Sequence, residues 1–303
     1  MAVDARPGSP TSRFRVGSIP GAHVLWEVAH RPAGAFGLLV VAALLVIVAF
    51  APQLAPYDPA AQRITDRLQG PSAAYLLGTD ELGRDLLSRL LFGTRIALGV
   101  AFPAVLAALF GGLLVGVTAG YLGGWVDKVL VIVMDSVQAF PAVILALALL
   151  AILGPSLQNV VIVIAVSFAP GYARVARALV LATKENLFVD AERALGAGDA
   201  RIVLVHILPN IAAPLFILLA MDLPAAITVE AGLSFLGVGV QPPTPSWGVI
   251  LADGFVRVRD TPWPVLTAGL ILMITTLGFT MLGETLRDVV DPRLGRIRRW
   301  RPG

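Results

Sequence analysis

Three carboxylates, Asp135, Asp222 and Glu230, stand in or beside long apolar stretches of this 303-residue chain. An ionised side chain at the centre of a bilayer costs at least about 2.5 kcal/mol, so such acids usually face a water-filled cavity or a partner. The chemistry open to them is binding of a proton, a cation or the cationic group of a substrate. On one helix Asp222 and Glu230 would lie roughly 80° apart and about 12 Å along the axis, on one broad face. Asp222 therefore reads either as an interface hydrogen-bonding group or as a contact for a cationic substrate. Other chemistries lack their residues. No Gly-x-x-x-x-Gly-Lys-Ser/Thr phosphate cradle occurs, and the only lysines, Lys128 and Lys184, stand in no such setting. His23, His30 and His206 lack metal-ligand spacing, Ser234 has neither a nucleophile elbow nor a base, and there is no cysteine to act as a thiolate. Neither a catalytic residue nor a metal site is expected in this chain.

The elements that position these acids must be membrane helices. Hydrophobic residues make up 57% of the chain and charged residues 14%, with a mean hydropathy of +0.82, whereas ordinary chains carry about 25% charged residues. Spans of about 20 apolar residues are needed to cross a bilayer. The charge-free stretches predict six: 34–51, 96–126 with a stop near Tyr121-Leu122-Gly123-Gly124, 129–153, 157–174, 211–231 and 263–282. Gly154-Pro155-Ser156 divides the third from the fourth. The expected fold class is thus an all-α integral membrane protein of six transmembrane helices. The first span starts too far into the chain, and lacks a small-residue cleavage pattern, for a signal peptide, so it reads as a retained helix.

An even number of spans puts both termini on one side. With the N-terminus in the cytoplasm, 16 of the 23 Lys and Arg residues fall inside and 7 outside, and the positive-inside rule therefore chooses N-in, C-in. Gly112-x-x-x-Gly116-x-x-x-Gly120 forms a small-residue face, which reads as tight packing within one subunit or as a hinge. Between the first two spans, Thr79 is a plausible N-cap, with Asp80 and Glu81 in the first turn and Leu82, Leu86, Leu87, Leu90 and Leu91 on one apolar face. An interfacial helix with an Asp85 to Arg89 pair is expected there.

Between the fourth and fifth spans runs Asp190-Ala191-Glu192-Arg193-Ala194-Leu195-Gly196, followed by His206-Ile207-Leu208-Pro209. This pattern resembles the cytoplasmic EAA loop of bacterial ABC-importer permeases, with Asp190 in place of Glu, Glu192 in place of the second Ala, and His206 in place of Ile. Leu77-Gly78-Thr79-Asp80-Glu81-Leu82-Gly83-Arg84-Asp85 resembles the N-terminal signature of the C-type subunits of the dipeptide, oligopeptide and nickel permeases. Glu230 to Gly239, Gln241 to Gly248, and Leu282 to Arg293 resemble further stretches of that family. The likeness extends from about Trp26 to Leu294.

The resemblance implies a type I ABC-importer permease of the bacterial cytoplasmic membrane, importing di- or oligopeptides, with nickel complexes or glutathione as alternatives. It implies an N-terminal cytoplasmic segment at 1–33, a first helix at 34–51, an extracytoplasmic segment at 52–94, a permease core at 95–288 and a basic tail at 289–303. Within the core, a loop at about 175–208 would carry the coupling helix. Asp190, Ala191, Glu192, Ala194, Leu195 and Gly196, with Leu208 and Pro209, would dock on an ATPase. The implied partners are a homologous B-type permease, two cytoplasmic ABC ATPases that hold the ATP and Mg, an extracytoplasmic substrate-binding protein and the lipid bilayer, with no nucleic acid and no cofactor on this chain. Asp135 and Glu230 stand where the family often has acids, which implies a shared structural or gating role. Trp247 follows a proline-rich loop, which either presents it at the outer mouth or packs on its own subunit. An ion-coupled secondary transporter using Asp222 or Glu230 is the reading from a different class, and it leaves the EAA spacing without a role.

Overall fold

The computed structural model describes residues 21–290. The first part of the N-terminal segment and the basic tail from Asp291 onward, with its five arginines, lie outside the described residues. The regular elements are all helices. Five are long and apolar enough to cross a membrane: Pro32–Leu54, Leu86–Leu122, Leu157–Lys184, Asp199–Phe235 and Trp263–Val290. A pair, Gly124–Gln138 and Ala142–Leu153, bent by 90°, is together long and apolar enough to make a sixth.

Helix α1 (Gly21–Ala29) leads into α2 (Pro32–Leu54), whose first-turn proline needs no N–H partner. Helix α3 (Leu86–Leu122) is 37 residues long, about 55 Å against a hydrocarbon core of about 30 Å. It therefore projects well beyond the bilayer. Its N-cap is Asp85, whose carboxylate accepts from the Ser88 N–H at 2.8 Å and from the Ser88 hydroxyl at 2.7 Å. This corrects the expected interfacial helix capped by Thr79. Thr79 is buried in a loop, where its hydroxyl donates to the Asp66 carbonyl at 2.5 Å and accepts from the Gln69 N–H at 2.9 Å. Gly78 and Gly83, at φ +86° and +71°, turn the chain in a way that no helix allows. Leu86 and Leu90 are buried in protein, so their burial anchors the helix in the protein core rather than in lipid.

Helix α3 ends at Gly123, φ +66°, where the sequence predicts a stop. The expected third span at 129–153 is broken into α4 (Gly124–Gln138) and α5 (Ala142–Leu153). Pro141 is the cause, since its ring and missing N–H interrupt the ladder and push Phe140 out of helical geometry. Helix α6 (Leu157–Lys184) is capped by Ser156, which accepts from the Asn159 N–H at 3.1 Å. It outruns the expected end at Arg174 by ten residues. Two short helices follow, α7 (Leu187–Ala194) and α8 (Asp199–Arg201), and then a π-turn over Ile202–Ile207 opens α9 (Leu208–Phe235). Helices α10 (Trp247–Val256) and α11 (Trp263–Val290) complete the chain.

The core is organised around α3, which packs most extensively on α6, while α11 packs on α2 and α9. The glycine face of α3 lies against α6. A Cβ on Gly112 would sit 2.5 Å from the Ala169 carbonyl and from Tyr172 Cβ, and one on Gly120 would sit 3.0 Å from the Arg177 carbonyl. Close backbone approach, with small residues supplying the van der Waals contact, is what drives association where lipid offers no hydrophobic gain. The stripe is thus a packing face within the chain.

Candidate functional site

The expected coupling element forms α7, an eight-residue helix of about two turns, with Leu195 and Gly196 just beyond its end. Its end is a Schellman motif: the Ala197 N–H reaches the Glu192 carbonyl at 3.0 Å, and the Gly196 N–H reaches the Arg193 carbonyl at 2.9 Å. Gly196 stands at φ +84°, the left-handed conformation that this cap requires. One side of α7 is anchored, since Val189 is fully buried and His206 Nε2 lies 3.5 Å from Glu192 Oε2. The other side presents Leu187, 86% exposed, Phe188, and Leu195, 83% exposed, together with exposed Asp190, Ala191 and Ala194. Arg193 bridges to Asp190 at 3.3 Å.

This unit is tied to the long helices at several points. Lys184 Nζ donates to the Gly120 carbonyl at 2.8 Å, joining the ends of α6 and α3. The Tyr121 hydroxyl donates to Asp199 at 2.5 Å. The π-turn follows from Pro209, whose ring would clash with the carbonyl four residues earlier in a regular helix. The Leu208 N–H bonds instead to Val203, five residues back. Leu208 is half-buried and Pro209 exposed, so the motif's two halves meet through the Glu192 and His206 contact.

The four pathway candidates have different surroundings. Asp135 on α4 is 2.8 Å from Arg174 on α6, with side chains 56% and 62% exposed. A turn further along α6, Arg177 holds Asp127 in a bidentate pair at 2.5 and 2.6 Å. Asp222 is half-buried and faces the Tyr172 hydroxyl of α6, which makes no hydrogen bond of ordinary geometry. Glu230 is fully buried and accepts from Ser234 at 2.8 Å and Ser246 at 3.2 Å. The two acids that the helix period sets on one broad face have separate surroundings: Asp222 faces α6, whereas Glu230 is buried against Ser234 of its own helix and Ser246 at the start of α10.

Of the two readings of Trp247, the structure has the inward-packed one. It is fully buried, its indole N–H donates to the Leu90 carbonyl at 3.1 Å, and a Cβ on Gly93 would come within 2.8 Å of its ring. The glycine leaves the space, and the carbonyl supplies the partner that a buried indole needs. The loop packs the tryptophan inward rather than presenting it.

A charged cluster at this same end escaped the sequence reading. Arg89 pairs with Asp80 and lies 3.6 Å from Asp253 on α10, and not with Asp85 as expected. Arg84 reaches Asp80 at 2.6 Å and Asp253 at 3.4 Å. Burial pushes the Asp253 carboxyl up, while Arg89 and Arg84 draw it down. Arg257 reaches Glu81 at 3.3 Å. The available signal was the density of opposite charges in 80–89 beside an apolar span, which a burial argument could have turned into a paired cluster.

Helices of this length, a capped amphipathic unit on one loop and charge pairs joining neighbouring helices define a membrane transport subunit. Residues 112–296 match the binding-protein-dependent transport system inner membrane component, and residues 20–71 match the N-terminal transmembrane domain of oligopeptide transport permease C. The chain belongs to the binding-protein-dependent transport system inner membrane component family. It is 42% identical over 258 residues to the dipeptide transport system permease protein DppC of Alkalihalophilus pseudofirmus, covering 85% of each chain. It is 39% identical to the glutathione transport system permease protein GsiD of Pectobacterium atrosepticum, covering 86% of each. It is 36% identical to the probable D,D-dipeptide transport system permease protein DdpC of Escherichia coli, covering 91% of this chain and 92% of the relative. Among solved structures, it shares the fold of an inward-facing MetNI methionine ABC transporter, at 20% identity and a TM-score of 0.55, over 67% of this chain and 97% of that one.

Proposed function

We propose that this chain is the C-type permease subunit of an ATP-driven importer of di- or oligopeptides. It would pair with a homologous B-type permease to enclose the path, bind two cytoplasmic ATPases that carry the ATP and Mg, and receive peptide from an extracytoplasmic binding protein. The observation that carries this reading is α7, a rigidly capped helix with an uncovered apolar ridge. Burying Leu187 and Leu195 in a partner's groove would stabilise docking by about 1.5–3 kcal/mol each. Movement of the ATPases would then pass through α7 and the Glu192–His206 contact into the π-turn and α9, and through Lys184 into α6 and α3. The chain itself supplies no catalytic group.

Reconstitution of the chain with the permease, ATPases and binding protein from its own gene cluster tests this. Peptide uptake into proteoliposomes should require ATP, and Leu195→Asp should abolish both ATPase association and uptake while the permease pair remains assembled. Uptake driven by an ion gradient without nucleotide would overturn the reading. Glutathione and nickel complexes, offered as competitors, distinguish the substrate alternatives.

A further inference from the structure

A cavity of 240 Å³ opens between α3, α4 and α6, lined by Gly116, Ala119, Met134, Asp135, Arg174 and Arg177 among others. Arg177 is committed to Asp127 through two N–H groups. The Asp135–Arg174 pair is not saturated. One N–H of Arg174 meets one oxygen of Asp135, whereas a guanidinium has five donors and a carboxylate two acceptor oxygens. Arg174 lies 17 residues beyond Leu157 on α6, about 26 Å along a helix of about 42 Å. Arg174 closes the span expected at 157–174, and both side chains of the pair are more than half exposed, so the pair is open to water or to a polar ligand. The cavity is smaller than the roughly 300–1,000 Å³ of sites for drug-sized ligands, a size suited to the two charged ends of a very small peptide.

We infer that the cavity beside Asp135 and Arg174 binds the end groups of a short zwitterionic peptide, its carboxylate on the free donors of Arg174 and its ammonium on the free oxygen of Asp135. This rests on the peptide reading above. The geometry is that of a pair which closes on itself when empty and opens to accept two charges of the same kinds. A guanidinium offers a carboxylate two parallel donors, which gives direction to the contact as well as strength. Because the empty pair satisfies itself in part, binding exchanges one set of charge contacts for another and is weak, as a transit site requires.

The assembled transporter in nanodiscs, without its binding protein, is to be titrated with three probes: dialanine, N-acetyl-dialanine, which keeps only the carboxylate, and dialanine amide, which keeps only the ammonium. Dialanine should bind saturably at millimolar concentration, and each blocked probe should bind about tenfold more weakly. Arg174→Gln should lower the affinity for N-acetyl-dialanine about tenfold and leave dialanine amide bound at least as tightly, its competitor for Asp135 being gone, and Asp135→Asn should do the reverse. Asn retains an acceptor for Arg174, so α4 and α6 stay joined in that variant. Equal loss of all three probes in either variant would overturn the inference and make the pair a tie between helices or a contact with the partner permease. Absence of dialanine binding in a wild-type complex that transports dialanine would also overturn it. If dialanine is not taken up even with the binding protein, while the crossed pattern of probe binding holds, the peptide reading falls and the zwitterion site stands.

Discussion

Nothing in this chain lies within 4 Å of where a Cβ on Gly196 would stand, so within the subunit a substitution there acts through the backbone alone. A left-handed conformation costs an ordinary L-residue about 1–2 kcal/mol, and a β-branched one more. Gly196→Val should therefore distort the end of α7 and uncouple ATP hydrolysis from uptake, while Gly196→Asn stays near wild type. Paired measurements of ATPase activity and uptake in proteoliposomes check this, and unchanged coupling in the valine variant would refute it. Trp247 offers a contrasting case, in which space decides. Trp247→Ala should destabilise by about 3–5 kcal/mol through the cavity beside Gly93, and Trp247→Phe by about 1 kcal/mol through loss of the indole bond alone, since the Leu90 carbonyl still accepts from the Thr94 hydroxyl at 3.0 Å. Thermal unfolding of the purified complex should rank wild type above Phe and Phe above Ala. The glycine's conformation was legible in the sequence because motif spacing fixes where the helix must stop. The tryptophan's direction was not, because a proline-rich loop has no periodicity that says which way a side chain turns.

Adjacent glycines on α3 separate packing from propensity at the level of the element. Gly112 is jammed against Ala169 and Tyr172, whereas Gly111 faces open space. Gly112→Val should thus part α3 from α6 and remove folded protein from the membrane, while Gly111→Val accumulates normally. Equal accumulation of the two, measured by detergent-resistant monodispersity, would contradict the packing account. The span positions were readable because charge is excluded from lipid-facing stretches: α2, α6, α9 and α11 contain the expected segments, and α3 covers the second as far as its expected stop. Their ends were less so. Helices α6 and α11 continue past the apolar residues because they are long enough to leave the bilayer and find polar partners. Pro141 carried the signal for the α4–α5 bend, but an average over an apolar window hides a single residue. Asp85 displaced Thr79 as the cap because Thr79 found its hydrogen bonds in a loop that folds back on residues 66–69, a non-local contact that no local pattern announces.

For the whole molecule, the distribution of 16 basic residues against 7 sets the orientation. Reporter fusions at Gly198 should read as cytoplasmic, and those at Gln69 as external. An external Gly198 would remove α7 from any ATPase and end the coupling account. The outer end of the bundle has a further consequence, one of timing. Trp247 meets Leu90 across 157 positions of sequence, and Asp253 meets Arg84 across 169. At about 5–20 residues per second, synthesis takes roughly 8–30 s to deliver the second partner after the first. Until then Gly93 has no indole to face and Arg84 and Arg89 lack Asp253, so a chain truncated before Trp247 should be less stable at its outer end than the finished one.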